Sequence, residues 1–226
     1  MTETRGTMFK TIVLITGEVE QPVLGDLFRQ HNPALEICPV VSAKDLAGLD
    51  PALWPTARII GFCTDVLVPA AVIAATGWGA YNFHPGSPDY PGWARFAFAA
   101  YRGASRFGAT AHEMAARVDS GAIIDVELFD VPGGCEPDQL MELSYSALFR
   151  LFLRLAEPLA TSAAALPNCG IAWGTERCSR RALAKLCDIP ANIAADDLAR
   201  RIRAFAAVDE SIRPTVTLHG HRFRLE

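Results

Sequence analysis

Several features that mark common function classes are missing from this chain of 226 residues. Its 21 lysines and arginines are outnumbered by 25 aspartates and glutamates, giving a formal net charge of −4, and no dense basic block occurs. A groove that follows a nucleic-acid backbone is therefore not expected. The six cysteines form no Cys-x-x-Cys pair, so we predict free thiols and no zinc ribbon or bound metal.

Long apolar runs and phosphate-binding loops are also absent. Residues 66–76 and 148–166 are interrupted by Pro, Arg or Glu, well short of the roughly 20 apolar residues of a membrane span. The first ten residues contain no apolar signal segment, so we expect a cytoplasmic location and no membrane contact. Neither Gly-x-Gly-x-x-Gly after the first predicted strand nor Gly-x-x-x-x-Gly-Lys-Ser/Thr occurs, which disfavours bound NAD or ATP.

What the sequence does contain is an alternation of short apolar segments with segments of helical periodicity. Strands are predicted at residues 10–16, 35–41, 58–63, 79–84, 107–114 and 122–131, and helices at residues 21–31, 66–76 and 136–165. This pattern predicts an α/β fold, a Rossmann-like and mostly parallel sheet with helices on both faces. Ligands of such sheets bind beyond the carboxyl ends of the strands.

The last quarter of the chain has a different character. Periodicity is lost over residues 166–181, which we interpret as a hinge, and a helix at 195–206 and a hairpin turning at Gly220 follow. We therefore predict a catalytic domain at residues 1–165 and a small C-terminal α+β module at residues 166–226. Exposed apolar residues in this module would support a homodimer.

Three polar residues are the candidates for chemistry. Asn82 and His84 end a predicted strand, and the period of two places them on one face. A loop rich in Pro and Gly follows, and Asp119 lies between two later strands. An amide, an imidazole and a carboxylate can therefore converge in one crevice. His112, on the strand before Asp119, is either a buried strand residue or a partner of this site.

Four segments together resemble a known family. They are Asn82-x-His84-Pro85, the Pro/Tyr/Gly loop at residues 88–92, Phe-Gly-Ala-Thr-Ala-His at residues 107–112, and Val-Asp-Ser-Gly-Ala-Ile-Ile at residues 118–124. Over about residues 10–131 the chain resembles the formyltetrahydrofolate-dependent formyltransferases, which include glycinamide ribonucleotide, methionyl-tRNA and sugar N-formyltransferases.

The resemblance implies a catalytic role for each matched residue. The amide of Asn82 would donate to the oxyanion that develops when an amine attacks a formyl group. His84 would accept the proton of the amine or, when charged, stabilise the intermediate. Asp119 would orient His84, favour its protonated form or hold a water that relays the proton.

The implied co-substrate is N10-formyltetrahydrofolate, with no metal. By resemblance, its pterin would lie in an apolar slot formed by the segment at residues 62–69 and the loop before Asp119. The residues predicted to bind it are Phe62, Cys63, Thr64, Val66, Val68 and Val118.

The acceptor is less well defined by the resemblance. The loop at residues 86–92 departs from the usual Ser-Leu-Leu-Pro pattern, the first turn lacks a Gly-Ser-Asn phosphate motif, and the C-terminal module is short for a tRNA-binding barrel. A small amine remains, most like a nucleotide-linked amino sugar, with Arg95, Arg102 or Arg106 pairing its diphosphate. The alternatives are a formyltetrahydrofolate hydrolase, formylation of an amino acid or hydroxylamine, and a folate- or nucleotide-binding module without turnover.

Overall fold

A computed structural model describes residues 9–162 and 164–225 of the chain, and its centre is a six-stranded sheet. The strands are β1 (Thr11–Ile15), β2 (Glu36–Val40), β3 (Ala57–Phe62), β4 (Ala80–His84), β5 (Arg106–Glu113) and β6 (Ile123–Asp130). They lie in the order β2-β1-β3-β4-β5-β6. The first four are parallel, and β5 and β6 continue the sheet as antiparallel strands.

Seven α-helices accompany the strands in the described part of the chain. They are α1 (Glu20–His31), α2 (Ala43–Ala47), α3 (Ala70–Ala75), α4 (Arg95–Arg102), α5 (Pro137–Thr161), α6 (Arg180–Cys187) and α7 (Ala195–Phe205). A 3-10 helix spans Pro51–Thr56. None of the helices in the described ranges is long and apolar enough to cross a membrane.

The sheet is buried on both faces because successive side chains of a strand point in opposite directions. Ile12 and Leu14 of β1 join one core with α1 and α5, while Val13 and Ile15 join a second core with the 3-10 helix and the α3 side. The predicted Rossmann-like, mostly parallel sheet with helices on both faces is therefore confirmed.

Two helix boundaries differ from the predicted ones. The helix predicted at residues 66–76 begins only at Ala70, because Pro69 disfavours helical geometry in the residue before it. Helix α5 ends at Thr161 rather than 165, where the buried Arg58 donates from Nη2 to the carbonyl of Ser162 at 3.0 Å. Residue 163, within the predicted helix, lies outside the described residues. The short helices α2, α4 and α6 were not predicted.

The C-terminal residues form a small second sheet and two helices. Strands β7 (Asp188–Ile189), β8 (Thr215–Leu218) and β9 (His221–Arg224) lie side by side, with the predicted hairpin turn at Gly220, whose φ of 82° is left-handed. Helix α7 packs on α4, where the ring of Phe205 lies 5.7 Å from that of Phe98 and 5.1 Å from that of Tyr101. The predicted small α+β part is confirmed.

Candidate active site

The end of β4 and the loop that follows it place the first two candidate residues. His84 is 5% exposed, and Asn82 is half-buried on the same side of the strand. The loop after His84 is fixed by two hydrogen bonds to its carbonyl groups. Thr110 Oγ1 donates to Gly86 O at 2.7 Å, and Arg95 Nε donates to Pro85 O at 2.8 Å.

Asp119 reaches this site from the loop between β5 and β6. Its Oδ1 lies 3.5 Å from His84 Nδ1, and its Oδ2 accepts the backbone N–H of Gly92 at 2.9 Å. The carboxylate is 3% exposed, and the residue has a left-handed φ of 48°, which is uncommon outside glycine. The three predicted catalytic side chains are thus brought together.

A second imidazole, which the sequence left undecided, belongs to the same group. His112 lies directly opposite Asn82 in the β4–β5 ladder, and its Nε2 is 3.1 Å from Asn82 Nδ2 and 3.6 Å from Asp119 Oδ1. Its Nδ1 is 2.7 Å from the carbonyl of Glu113, which can only accept. Nδ1 therefore carries the proton, so Nε2 of the neutral ring accepts from the Asn82 amide.

The environment lowers the pKa of both His84 and Asp119. Burial lowers the pKa of His84 from 6.5 to about 3, the charge of Arg95 adds to this effect, and Asp119 opposes it. Burial would raise the pKa of Asp119, but His112 and His84, which favour the carboxylate when they are protonated, and the Gly92 amide hold that pKa well below its usual value. At neutral pH the site therefore contains a neutral imidazole beside a carboxylate.

The free nitrogen of His84 is the atom available for proton transfer. Nδ1 faces Asp119, while Nε2 is buried and has no hydrogen-bond partner among the described residues. An unpartnered buried nitrogen is costly to a fold and is common at functional sites.

A narrow cavity of about 130 Å³ adjoins Asn82, His112 and Asp119. Its walls come from the segment after β3 and the loop before Asp119, as the sequence predicted for the pterin slot. Four of the six residues predicted to bind the co-substrate line it, namely Thr64, Val66, Val68 and Val118. The other two lie elsewhere: Phe62 packs in the core against Phe83 and Phe152, and Cys63 is exposed at the end of β3.

A larger cavity of about 550 Å³ lies on the side of Arg95. Trp93, Phe96 and Met141 line it together with Arg203 of α7. A methyl group placed on Gly86 would lie 2.7 Å from both His84 Nε2 and Arg95 Cδ, so His84 Nε2 and the wall of this cavity are neighbours. The other two arginines suggested for a diphosphate are engaged elsewhere, Arg102 with Glu176 and Arg106 with Asp130.

Within the described residues, no group of three or more His, Cys, Asp or Glu side chains is arranged to hold a metal ion. The site consists instead of two imidazoles, an amide and a carboxylate between two cavities.

The sheet order and the polar group at the end of β4 define a Rossmann-like α/β protein with a site suited to acyl transfer. No protein-family profile matches the sequence, and no curated protein matches it.

Solved structures identify the fold more closely. The chain is similar to a sugar N-formyltransferase from Shewanella sp FDAARGOS_354, with a TM-score of 0.73, 14% identity and 96% of each chain covered. It is also similar to a 4-N formyltransferase from Francisella tularensis, with a TM-score of 0.70, 17% identity and 96% of each chain covered. An N-formyltransferase from Helicobacter canadensis has a TM-score of 0.64 at 13% identity, with 94% of this chain and 85% of the other covered. The resemblance to the formyltransferases is therefore confirmed in the fold.

Proposed function

We propose that this protein is an N-formyltransferase that moves a formyl group from N10-formyltetrahydrofolate to the amine of a small acceptor. The observation that carries the proposal is the convergence of Asn82, His84 and Asp119 between two cavities, with His84 Nε2 buried and unpartnered. The formyltransferase fold of the chain supports the same assignment.

The narrow cavity is suited to the folate. Val66, Val68 and Ile73 give it apolar walls, and the backbone of residues 114–119 passes along it. A flat pterin needs both surfaces, since it packs on apolar side chains and hydrogen-bonds through its ring nitrogens. Bound there, the co-substrate supplies an electrophilic formyl carbon.

The chain's own residues then move one proton and stabilise one charge. The amine nitrogen first bonds to the formyl carbon, and the bond from that carbon to the folate nitrogen breaks afterwards, when the charge on the formyl oxygen returns to form the new carbonyl. The Asn82 amide donates to the formyl oxygen as negative charge develops on it. His84 Nε2, unprotonated at neutral pH, takes the proton from the amine and returns it to the leaving folate nitrogen. Asp119 Oδ1 lies 3.5 Å from His84 Nδ1 and so favours the tautomer that carries its proton on Nδ1 and leaves Nε2 free.

For the acceptor we propose an amino sugar, linked to a nucleotide. The Helicobacter canadensis protein is described in complex with folinic acid and dTDP-3-aminofucose. The larger cavity supports an acceptor of this size, and its lining includes Trp93, Arg95 and Arg203, whose pairing with Glu136 at 3.7 Å a diphosphate would replace. An aromatic ring and two guanidinium groups are suited to a nucleobase and a diphosphate.

The proposal is tested by incubating the protein with N10-formyltetrahydrofolate and a panel of nucleotide-linked and free amino sugars. We expect the acceptor to gain the mass of one formyl group while tetrahydrofolate is released in equal amount. The matched variants Asn82→Ala and His84→Ala should lose this product and still bind folinic acid, which cannot donate its formyl group in this way. Release of tetrahydrofolate without any amine would indicate a hydrolase. Folate binding without turnover, unchanged in the variants, would indicate a binding module.

A further inference from the structure

The segment between α5 and α6, predicted from sequence only as a hinge, lies across the active site. We call residues 167–178 the strap. Its backbone makes three hydrogen bonds to carbonyls of two site-forming segments, from Cys169 to Ile123 at the start of β6, and from Gly174 to Pro88 and Cys178 to Pro91 in the loop after β4, at 2.8 to 2.9 Å. The strap therefore joins the loop that carries Asp119 to the loop that carries Gly92.

Arg177 of the strap holds the backbone on both sides of Asp119. Its Nη2 donates to the Val118 carbonyl at 2.6 Å and its Nη1 to the Asp119 carbonyl at 3.3 Å. These oxygens belong to the peptide groups before and after Asp119, so together the two bonds set both backbone dihedrals of this residue. Asp119 needs such support because its φ of 48° is unfavourable for a residue with a side chain.

Trp173 of the strap lies against both imidazoles. Its ring centroid is 6.0 Å from that of His84 and 5.0 Å from that of His112, in edge-on geometry. The indole is fixed by a hydrogen bond from Nε1 to the Gly121 carbonyl at 2.8 Å. Since the His84 side chain is only 7% exposed, the indole forms part of the wall that separates it from water.

We propose that Arg177 and Trp173 are positioning residues for formyl transfer, Arg177 by holding Asp119 in its left-handed conformation and Trp173 by keeping water away from His84. This inference rests on the proposed function for its kinetic consequences. Its structural consequences for Asp119 and His84 do not depend on that function.

The experiment on Arg177 compares the variants Arg177→Lys and Arg177→Ala with a control, Arg181→Lys, at an exposed position on α6. A lysine keeps the charge but cannot bridge two carbonyls as the guanidinium fork does. We expect kcat for formyl transfer to fall about tenfold or more in both Arg177 variants, with the KM for folate and the affinity for folinic acid nearly unchanged. Added guanidinium ion should restore kcat in Arg177→Ala, whereas ammonium should not. Wild-type kcat in both variants would overturn the role of Arg177, as would a loss that guanidinium cannot restore.

The experiment on Trp173 uses two variants. Trp173→Phe loses the hydrogen bond to the Gly121 carbonyl, and Trp173→Leu also loses the aromatic ring. We expect amine-independent release of tetrahydrofolate to rise about tenfold relative to formyl transfer in the leucine variant, and less in the phenylalanine variant. An unchanged ratio in both would overturn the role of Trp173.

A titration of the ¹⁵N-labelled histidines separates this inference from the proposed function. The charged and titratable groups facing His84 are Asp119, His112, Arg95 and Arg177, and all of them remain in Trp173→Leu. Admission of water should therefore raise the pKa of His84 from about 3 toward its usual value. If the wild-type protein formylates no amine, the proposed function fails, and this titration still decides whether Trp173 shields His84. An unchanged His84 titration would refute the shielding.

Discussion

Two buried histidines, His84 and His112, lie 3.5 and 3.6 Å from the same oxygen of Asp119, yet their hydrogen-bond partners differ. The Nδ1–H of His112 donates to the backbone carbonyl of Glu113, and Nε2 of the same ring accepts a hydrogen bond from the Asn82 amide. His84 directs Nδ1 to Asp119 and keeps Nε2 free. In the proposed reaction, His112 therefore orients the amide that stabilises the oxyanion, whereas His84 exchanges the proton.

The depressed pKa of His84 predicts an acid-sensitive fold. The unfolded chain binds a proton here below about pH 6.5, whereas the folded chain does so only near pH 3. Stability should therefore fall as the pH is lowered through this window, by at most about 1.4 kcal/mol per pH unit from this group. The low pKa of Asp119 adds a further loss at the acid end.

The variant His84→Asn tests whether His84 causes this pH dependence of stability. Its amide can still donate to Asp119 but has no proton to gain, so urea unfolding between pH 7 and pH 4 should depend less steeply on pH than in the wild-type protein. It should also lack formyl transfer. Equal pH slopes in the two proteins would contradict the assignment of a buried neutral imidazole.

Replacing His112 by Phe keeps a ring of similar size and removes both nitrogens. The Asn82 amide and the Glu113 carbonyl then lose their partner, and a buried polar group without one costs about 1 to 3 kcal/mol. We expect a drop of that size in the free energy of unfolding and a fall in kcat of roughly tenfold, with folinic acid still bound. An unaltered kcat would mean that Asn82 is oriented without His112.

At the scale of elements, the connection from β4 to α4 is the tightest part of the site. Gly86 follows the strand that ends in His84, and α4 returns Arg95 to the same point. The two side chains meet where Gly86 has none. The absence of a side chain at Gly86 allows the His84 imidazole and the Arg95 side chain to share the space.

Gly86→Ala tests this packing without straining the backbone, since Gly86 does not have a left-handed φ. The added methyl would lie 2.7 Å from His84 Nε2, so the imidazole must shift. We expect turnover to fall about a hundredfold or more, because a displacement of about 1 Å is enough for such a loss. Gly133→Ala, where nothing lies within 4 Å, is the matched control and should behave as the wild-type protein. Full activity in Gly86→Ala would contradict the proposed role of Nε2.

At the scale of the whole molecule, the C-terminal residues complete the structure around α4. The Phe205 ring of α7 is fully buried between Phe98 and Tyr101, and Asp197 accepts a hydrogen bond from the Tyr101 hydroxyl at 3.0 Å. Because α4 also carries Arg95, this packing supports one wall of the larger cavity.

Phe205→Ala should therefore destabilise the protein by about 3 to 5 kcal/mol, the usual cost of removing a buried phenylalanine. Phe223→Ala on β9, where the side chain is 55% exposed, serves as the control and should change stability by about 0.5 kcal/mol or less. Urea unfolding measures both. If Phe205→Ala lowered the free energy of unfolding as little as Phe223→Ala, α7 would contribute little to the core.

Much of this organisation was accessible from the sequence because its signals are local. Alternating apolar strands and helices predict the sheet, and the period of two along a strand places Asn82 and His84 on the same face. Asp119 was predicted from its position between two strands, and the resemblance in the residues around it gave the expected role. Short helices such as α4 were missed because eight residues carry too few turns for a periodic pattern to stand out.

The contacts that complete the site come from packing between distant segments. His112 meets Asn82 because β5 runs antiparallel to β4 with these residues in register, and register is set by the whole sheet. Arg177 reaches Asp119 from 58 residues away, out of a segment without periodicity. Spacing along a chain encodes which side chains share a face of one element, whereas contacts between elements depend on how several cores pack at once.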